Sequence, residues 1–150
     1  MVGTHIIRPA YFHDADTLLE IRREAILALI GVFSEVSKVE RWANSAGPDR
    51  TETAIANHIV WVAESQSNLV GWVEVNAETI EALYVRPTAW KAGIGSSLLS
   101  HAEKFIQDSG FSSVLLNASP NAEVFYRHRG YMGSEPLADS SIPMEKQFEK

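Results

Sequence analysis

The chain has 150 residues, no cysteine and a formal charge of −6, from 19 Asp and Glu against 13 Lys and Arg. That length suits one domain, 1–150, able to bury about two-thirds of its unfolded surface. Without cysteine there are no disulfides, no thiolate zinc site and no thiol nucleophile. The acidic balance disfavours nucleic acid, whose binding draws on clustered Lys and Arg.

No apolar run is long enough to span a membrane, and the N-terminal residues lack a continuous apolar signal core, so the cytoplasm is the expected location. Residues 5–10 read as a short first strand stopped near Pro9. Asp14 or Asp16 can cap a helix to about Ile30, with Leu18, Leu19, Ile21, Ala25, Ile26, Leu29 and Ile30 on its apolar face. Glu20, Arg22, Arg23 and Glu24 fall largely outside that face, and Gly31 suggests the end. Residues 32–47 (Val32, Phe33, Val36, Val39 and Trp42 at uneven spacing) read as a second, shorter helix or a structured loop. Gly47-Pro48-Asp49 is a break, with Asp49 a cap for a helix over 50–57.

Strands follow. His58 to Glu64 is apolar and β-branched, Gln66-Ser67-Asn68 is a turn, and Leu69 to Val75 returns as the second arm of a hairpin. After Asn76-Ala77-Glu78 the chain runs into a strand over 79–85, closed by Pro87. Gly93-Ile94-Gly95 opens a helix whose apolar residues (Ile94, Leu98, Leu99, Ala102, Phe105 and Ile106) keep helical spacing as far as Gly110. Phe111 to Asn117 is strand-like and one helix removed from 79–85, which makes a parallel crossover natural. Ser119-Pro120 reads as an N-cap followed by proline, opening a short helix Asn121–Arg129. Tyr131 to Ser134 and Ile142 to Phe148 read as a last strand pair around the loop 135–141.

A glycine-rich turn from strand to helix lets the backbone approach a ligand, and the first helical N–H groups lack internal partners. Helix polarity adds partial positive charge there, so the turn predicts a pyrophosphate cradle made mainly of backbone. A third dinucleotide-type glycine is replaced by Leu98, and no Gly-Lys-Ser/Thr follows, so neither of two commoner phosphate loops fits.

Three features occur in order: Asn68-Leu69-Val70-Gly71-Trp72-Val73, Leu83-Tyr84-Val85 with the Gly-x-Gly helix, and Ala122 to Tyr131 around Phe125-Tyr126 and Gly130-Tyr131. With this element order, the whole chain resembles the GCN5-related N-acetyltransferase (GNAT) superfamily. The resemblance implies an α/β (α+β) fold: a mixed, mostly antiparallel sheet flanked by helices, with a V-shaped split between strands 79–85 and 111–117. It implies acetyl-CoA, leaving as coenzyme A, as cosubstrate, and no metal. Backbone groups of Leu83, Tyr84 and Val85 would line the pantetheine arm, and the amides of Lys91, Ala92, Gly93, Ile94, Gly95 and Ser96 would hold the pyrophosphate. Two positions depart from the family pattern. Trp90 stands where the family has Gln or Arg, with Lys91 able to compensate as a point charge. Ser119 stands where many members have Asn, with Asn121 beside it.

Acetyl transfer to an amine needs a neutral amine, a stabilised oxyanion and a protonated leaving sulfur. With no thiol and no Gly-x-Ser-x-Gly elbow, direct attack in a ternary complex is the simpler chemistry. Tyr126 matches the family tyrosine near the sulfur. Its ordinary pKa of about 10 keeps it protonated at neutral pH, so it can serve as acid. Glu81 is the candidate base, with Glu74 on the preceding strand or water as alternatives. A backbone N–H near Leu83 or Tyr84 would hold the oxyanion. Trp42 with Phe33 would wall the acceptor pocket. The five histidines lack metal-ligand spacing, His101 and His128 read as surface residues, and the Lys and Arg residues read as an ordinary solvated surface.

The expected activity is N-acetylation of a primary amine on a small molecule, peptide or protein, by a possible homodimer without nucleic-acid or membrane partners. The alternatives are a catalytically silent acyl-CoA-binding module and an acyltransferase using another acyl-CoA.

Overall fold

Two tight turns build the centre of the sheet. The computed structural model describes residues 5–30 and 35–149. Within them, β2 (Ile59–Ser65) and β3 (Asn68–Asn76) are joined through Gln66 and Ser67, at φ 53° and 67°. Positive φ at both central residues matches the right-handed twist of a hairpin. Ala77, at φ 54°, turns β3 into β4 (Thr79–Val85) in the same way. β1 (Ile6–Pro9) adds antiparallel to β2. After β4 come β5 (Ser113–Ala118), the two-residue β6 (Met132–Gly133) and β7 (Ile142–Gln147). The seven strands lie in the order β1-β2-β3-β4-β5-β7-β6. Only β4 and β5 pair in parallel.

Helices cover both faces. On one, α4 (Ile94–Asp108) lays Leu98, Leu99, Ala102 and Ile106 over Val73, Val75 and Ile80. Gly71 permits that approach: a Cβ there would stand 3.0 Å from the Tyr84 carbonyl oxygen and 3.1 Å from Leu98. On the other face, Leu18 and Ile21 of α1 (Ala15–Leu27) and Ala54 of α3 (Asp49–Asn57) pack against Val60, Val62, Trp72 and Ala82. The Trp72 indole N–H donates to the Leu18 carbonyl at 3.0 Å, so a fully buried polar atom keeps its partner. A third cluster joins α1 to α2 (Val36–Ala43) through Ile26, Leu29, Val39 and Ala43.

Several sequence expectations shift. Residues 36–43 form the shorter helix, one of the two readings of that segment. α1 ends at Leu27 rather than Ile30, because the Leu29 and Ile30 N–H groups bond three residues back, to Ile26 O at 3.0 Å and Leu27 O at 3.1 Å, which tightens the chain out of the α-helical pattern. Gly31, Val32 and Phe33 lie outside the described residues. Asp14 does not cap α1 with its side chain. Its Oδ2 accepts the Tyr11 N–H at 2.7 Å and pairs with Arg8 at 2.9 Å, which ties β1 to the turn before α1. Asp49 is the first residue of α3 rather than its cap. Arg22 is buried, not outward: it donates to Ala43 O at 3.3 Å and Ser45 Oγ at 3.2 Å, fastening α1 to the end of α2. The Asn121–Arg129 helix is a 3-10 turn, Pro120–Ala122, followed by α5 (Glu123–Arg127). Among the described residues no helix is long and apolar enough to cross a membrane.

Candidate active site

The sheet opens where its register breaks. Glu74 pairs with Ala82 and Val75 with Ile80, so Glu81 is left without a partner as a β-bulge. Parallel pairing of β4 with β5 is confined to Thr79 with Leu115 and Ile80 with Leu116. From Glu81 onward the strands diverge, and a cleft of about 790 Å³ enters the gap. The split falls between the strands expected from the sequence, and the bulge that starts it was not legible there.

One arm of the cleft is the free edge of β4. Arg86 N–H bonds the Val70 carbonyl at 2.8 Å. In an antiparallel ladder these bonds alternate, so Tyr84 and Ala82 also turn their backbone groups to β3, while Leu83 and Val85 aim theirs at the open edge. This corrects the expectation for Tyr84. Its backbone is used by the sheet, and its contribution to the cleft is its side chain. Leu83 N–H, rather than that of Tyr84, is the amide free to meet an oxyanion.

Above this edge stands the start of α4. Gly93 takes the left-handed conformation at φ 81°, and no side chain caps the helix. The first turn bond comes only from Ser97 N–H to Gly93 O at 3.0 Å, which leaves the Ile94, Gly95 and Ser96 amides free of helical partners. Lys91, Gly93, Ile94, Gly95 and Ser96 line the cleft. Ala92 does not: its N–H closes a turn onto Ala89 O at 3.4 Å, and its side chain packs against the core under α4. Trp90 makes a polar contact after all, since its indole N–H donates to Val85 O at 2.8 Å. It thereby occupies one of the outward carbonyls of the free edge.

Opposite, β5 and α5 supply the other arm. Ser119 and Asn121 line it, and Ser119 sits at the N-cap position without a side-chain hydrogen bond. Tyr126 is 8% exposed and lines the cleft; among the described residues no group hydrogen-bonds its hydroxyl. Burial, with the nearby Tyr84 phenol adding to it, pushes the Tyr126 hydroxyl well above its ordinary range. Gly95 faces this arm closely: a Cβ there would lie 3.6 Å from the Phe125 ring and 3.8 Å from Val85.

Glu81 lines the cleft from the bulge, exposed and without a cationic partner among the described residues. Glu74 does not share it. That carboxylate is 2% exposed, 2.7 Å from Arg50 and 2.5 Å from His58 Nδ1, under α3. It is a structural anchor, and the alternative that made it the base is set aside. Trp42 of α2 lines the cleft with Ala25 and Ile26 of α1 and with Leu29 in the turn after it, whereas Phe33 lies outside the described residues.

A family model described as an acetyltransferase (GNAT) domain matches residues 22–146. The chain belongs to the GNAT acetyltransferase family. It is an acetyl-CoA-dependent N-acetyltransferase acting on an amine. The spermidine N(1)-acetyltransferase of Thermoplasma acidophilum is 28% identical over 95% of this chain and 97% of its own length. A GCN5-related N-acetyltransferase from Rhodopseudomonas palustris superposes with a TM-score of 0.89 at 23% identity, over 99% of both chains. The PaiA N-acetyltransferase of T. acidophilum, solved with coenzyme A, gives 0.84 at 24% identity over 97% of this chain and 99% of its own.

Within the GNAT frame one charged residue was missed. By its sequence pattern Arg129 belongs to the ordinary solvated surface. Its guanidinium stacks 3.8 Å over the Phe125 ring, donates to Phe125 O at 2.9 Å and reaches Ser96 Oγ at 2.5 Å. It lines the cleft beside the uncapped start of α4. The sequence carried a faint sign of this: Arg129 lies one helical turn after Phe125, so both side chains fall on one face. The residues present fit a phosphorylated thioester carrier. They supply a free strand edge for an amide-bearing arm, open helix amides for phosphate, and a fixed cation beside them.

Proposed function

We propose that residues 1–150 act as one GNAT domain that moves acetyl directly from acetyl-CoA to a primary amine, without an acyl-enzyme. The observation that carries this is the divided strand edge: Leu83 and Val85 face a cleft whose far wall presents the unpartnered hydroxyl of buried Tyr126. Leu83 and Val85 extend the sheet onto the pantetheine arm. Lys91, Gly93, Ile94, Gly95, Ser96 and Arg129 hold the phosphates. Ser119 and Asn121 bond the arm from the other side.

Glu81 takes a proton from the bound ammonium, directly or through water, and passes it to solvent. The freed nitrogen attacks the thioester carbon, Leu83 N–H holds the developing oxyanion, and the carbon–sulfur bond breaks. Tyr126 donates to the departing sulfur and regains its proton from the new amide nitrogen. Its raised pKa keeps it protonated across neutral pH, which suits a donor. The T. acidophilum relative is named for acetylating spermidine, an amine, which supports an amine acceptor here. A cytoplasmic setting and a homodimer accord with the acidic charge and the family.

The test is paired. Tyr126→Phe should lower kcat by about 100-fold, within the range for a lost general acid, while coenzyme A still raises the melting midpoint. Intact mass after incubation with acetyl-CoA alone should show no added acetyl group. An unchanged rate removes Tyr126 from this role, and a stable acetyl-enzyme ends the direct-transfer reading.

A further inference from the structure

The acceptor end of the cleft carries its own chemical information. We infer that the preferred acceptor is a primary monoamine on an apolar body, an arylalkyl or alkyl amine, and that polyamines are disfavoured. This rests on the transfer reading above. Beyond the Tyr84 side chain the wall is made by Ala25, Ile26, Leu29 and Trp42. Ile26 and Leu29 are buried, and Trp42 is partly so. These groups offer area to an aromatic or alkyl body and no carboxylate to a second ammonium, which would find only the ring faces of Trp42 and Tyr84.

Charge tells the same story independently. Among the described residues lining the cleft, Glu81 is the only carboxylate, and the cations Lys91 and Arg129 stand toward the start of α4. Residues 31–34 are Gly-Val-Phe-Ser, so they bring no carboxylate wherever they lie. Behind the wall the buried Arg22 guanidinium sits 5.9 Å from the Tyr84 ring centroid. Its hydrogen bonds go to a carbonyl and a hydroxyl, so its charge is not cancelled by an acid. One negative and one buried positive group accommodate a single ammonium at Glu81. A second ammonium along the same molecule would be desolvated against apolar side chains and repelled by Arg22.

The experiment measures kcat/KM for phenethylamine, tryptamine and hexylamine against putrescine and spermidine, following thiol release at fixed acetyl-CoA. Thermal shift with coenzyme A runs beside it. The monoamines should exceed spermidine by about tenfold or more. Trp42→Ala should raise KM for tryptamine several-fold and leave that for acetyl-CoA unchanged. Trp42→Glu, which adds a carboxylate to the wall, should move the tryptamine-to-spermidine ratio about tenfold toward spermidine, a readout that simple damage to packing would not give. Preference for spermidine in the wild type overturns the inference, as does an unmoved ratio in Trp42→Glu. So does a failure to acetylate any of these amines while coenzyme A still binds. Loss of the coenzyme A shift itself would instead count against the transfer reading.

Discussion

The two ends of the cleft are built by opposite means. At the end proposed for the cofactor, the cleft presents mostly main chain: a strand edge that has lost its neighbour and a helix start that has no cap. At the acceptor end, side chains from α1, α2 and β4 meet, and the backbone is occupied with its own helices and with β3. Main-chain recognition depends on conformation, so it tolerates changes such as Trp90 and Ser119 while the geometry holds. Side-chain recognition changes with each substitution, so specificity belongs at that end. Chemistry shared across such a fold is therefore sought at the first end, and the individual substrate at the second.

The largest effect should come from closing the gap between the arms. A Cβ on Gly95 would make ordinary contact with Phe125 and Val85, so the bulkier Gly95→Val sets about 3 kcal/mol of crowding against a bound ligand. Its Kd for coenzyme A, by calorimetry, should rise by about 100-fold. A Kd within twofold of wild type would show that the ligand does not run between these residues.

Arg129→Ala comes next. It removes a fixed cation beside the open amides of α4, and the Kd for coenzyme A should rise about tenfold, the range of one charge-assisted hydrogen bond. The loss should be smaller for a phosphate-free pantetheine thioester. Equal losses for both ligands would mean that Arg129 acts through the fold.

How much of this was readable follows the same division. Most of the end proposed for the cofactor lies within one continuous stretch, from Leu83 to Ser96, whose strand and glycine turn depend on local rules, while Ser119, Asn121 and Arg129 join it from the segments after β5 and α5. The acceptor end depends on which helix faces which strand. Trp42 could be placed there only through the family, and Phe33 lies outside the described residues. Register was the deeper gap. Alternation of residues gave Glu81 a face, but the bulge that frees it from pairing arises from how β3 and β4 align. Charges misled for a physical reason. Arg22 and Arg129 carry the pattern of exposed residues, and what makes them structural or functional is a carbonyl or hydroxyl brought from elsewhere in the chain.

Glu74 offers a control on the boundary of the site. Glu74→Gln weakens a buried carboxylate's bonds to Arg50 and His58, and the protein should lose about 1–2 kcal/mol of stability in urea. Its kcat at saturating substrates should match wild type. A drop in kcat with unchanged stability would return Glu74 to the list of bases.

The smallest effect lies outside the cleft and concerns acid. Burial alone would raise the Asp14 carboxyl; the hydrogen bonds from Arg8 and Tyr11 N–H, with the charges of Arg8 and His13, outweigh it and hold the group below its usual range. A carboxyl depressed in the folded state adds stability above its unfolded pKa of about 3.9, and that stability is lost as pH falls through the folded value. Arg8→Met should therefore lower stability modestly at pH 7, with the difference from wild type shrinking below about pH 4. A difference that stays constant down to pH 2 would assign the effect to packing.

The most direct test of the divided edge as a coenzyme A site is a melt with acetyl-CoA, coenzyme A and ATP in parallel. A ligand that binds only the folded chain adds about 2.7 kcal/mol at 100 times its Kd. The structure predicts a clear rise with the two pantetheine-bearing ligands and little with ATP, because ATP has no arm to pair with Leu83 and Val85. Equal rises for all three would reduce the site to a phosphate cradle, and no rise at saturating acetyl-CoA would contradict the account.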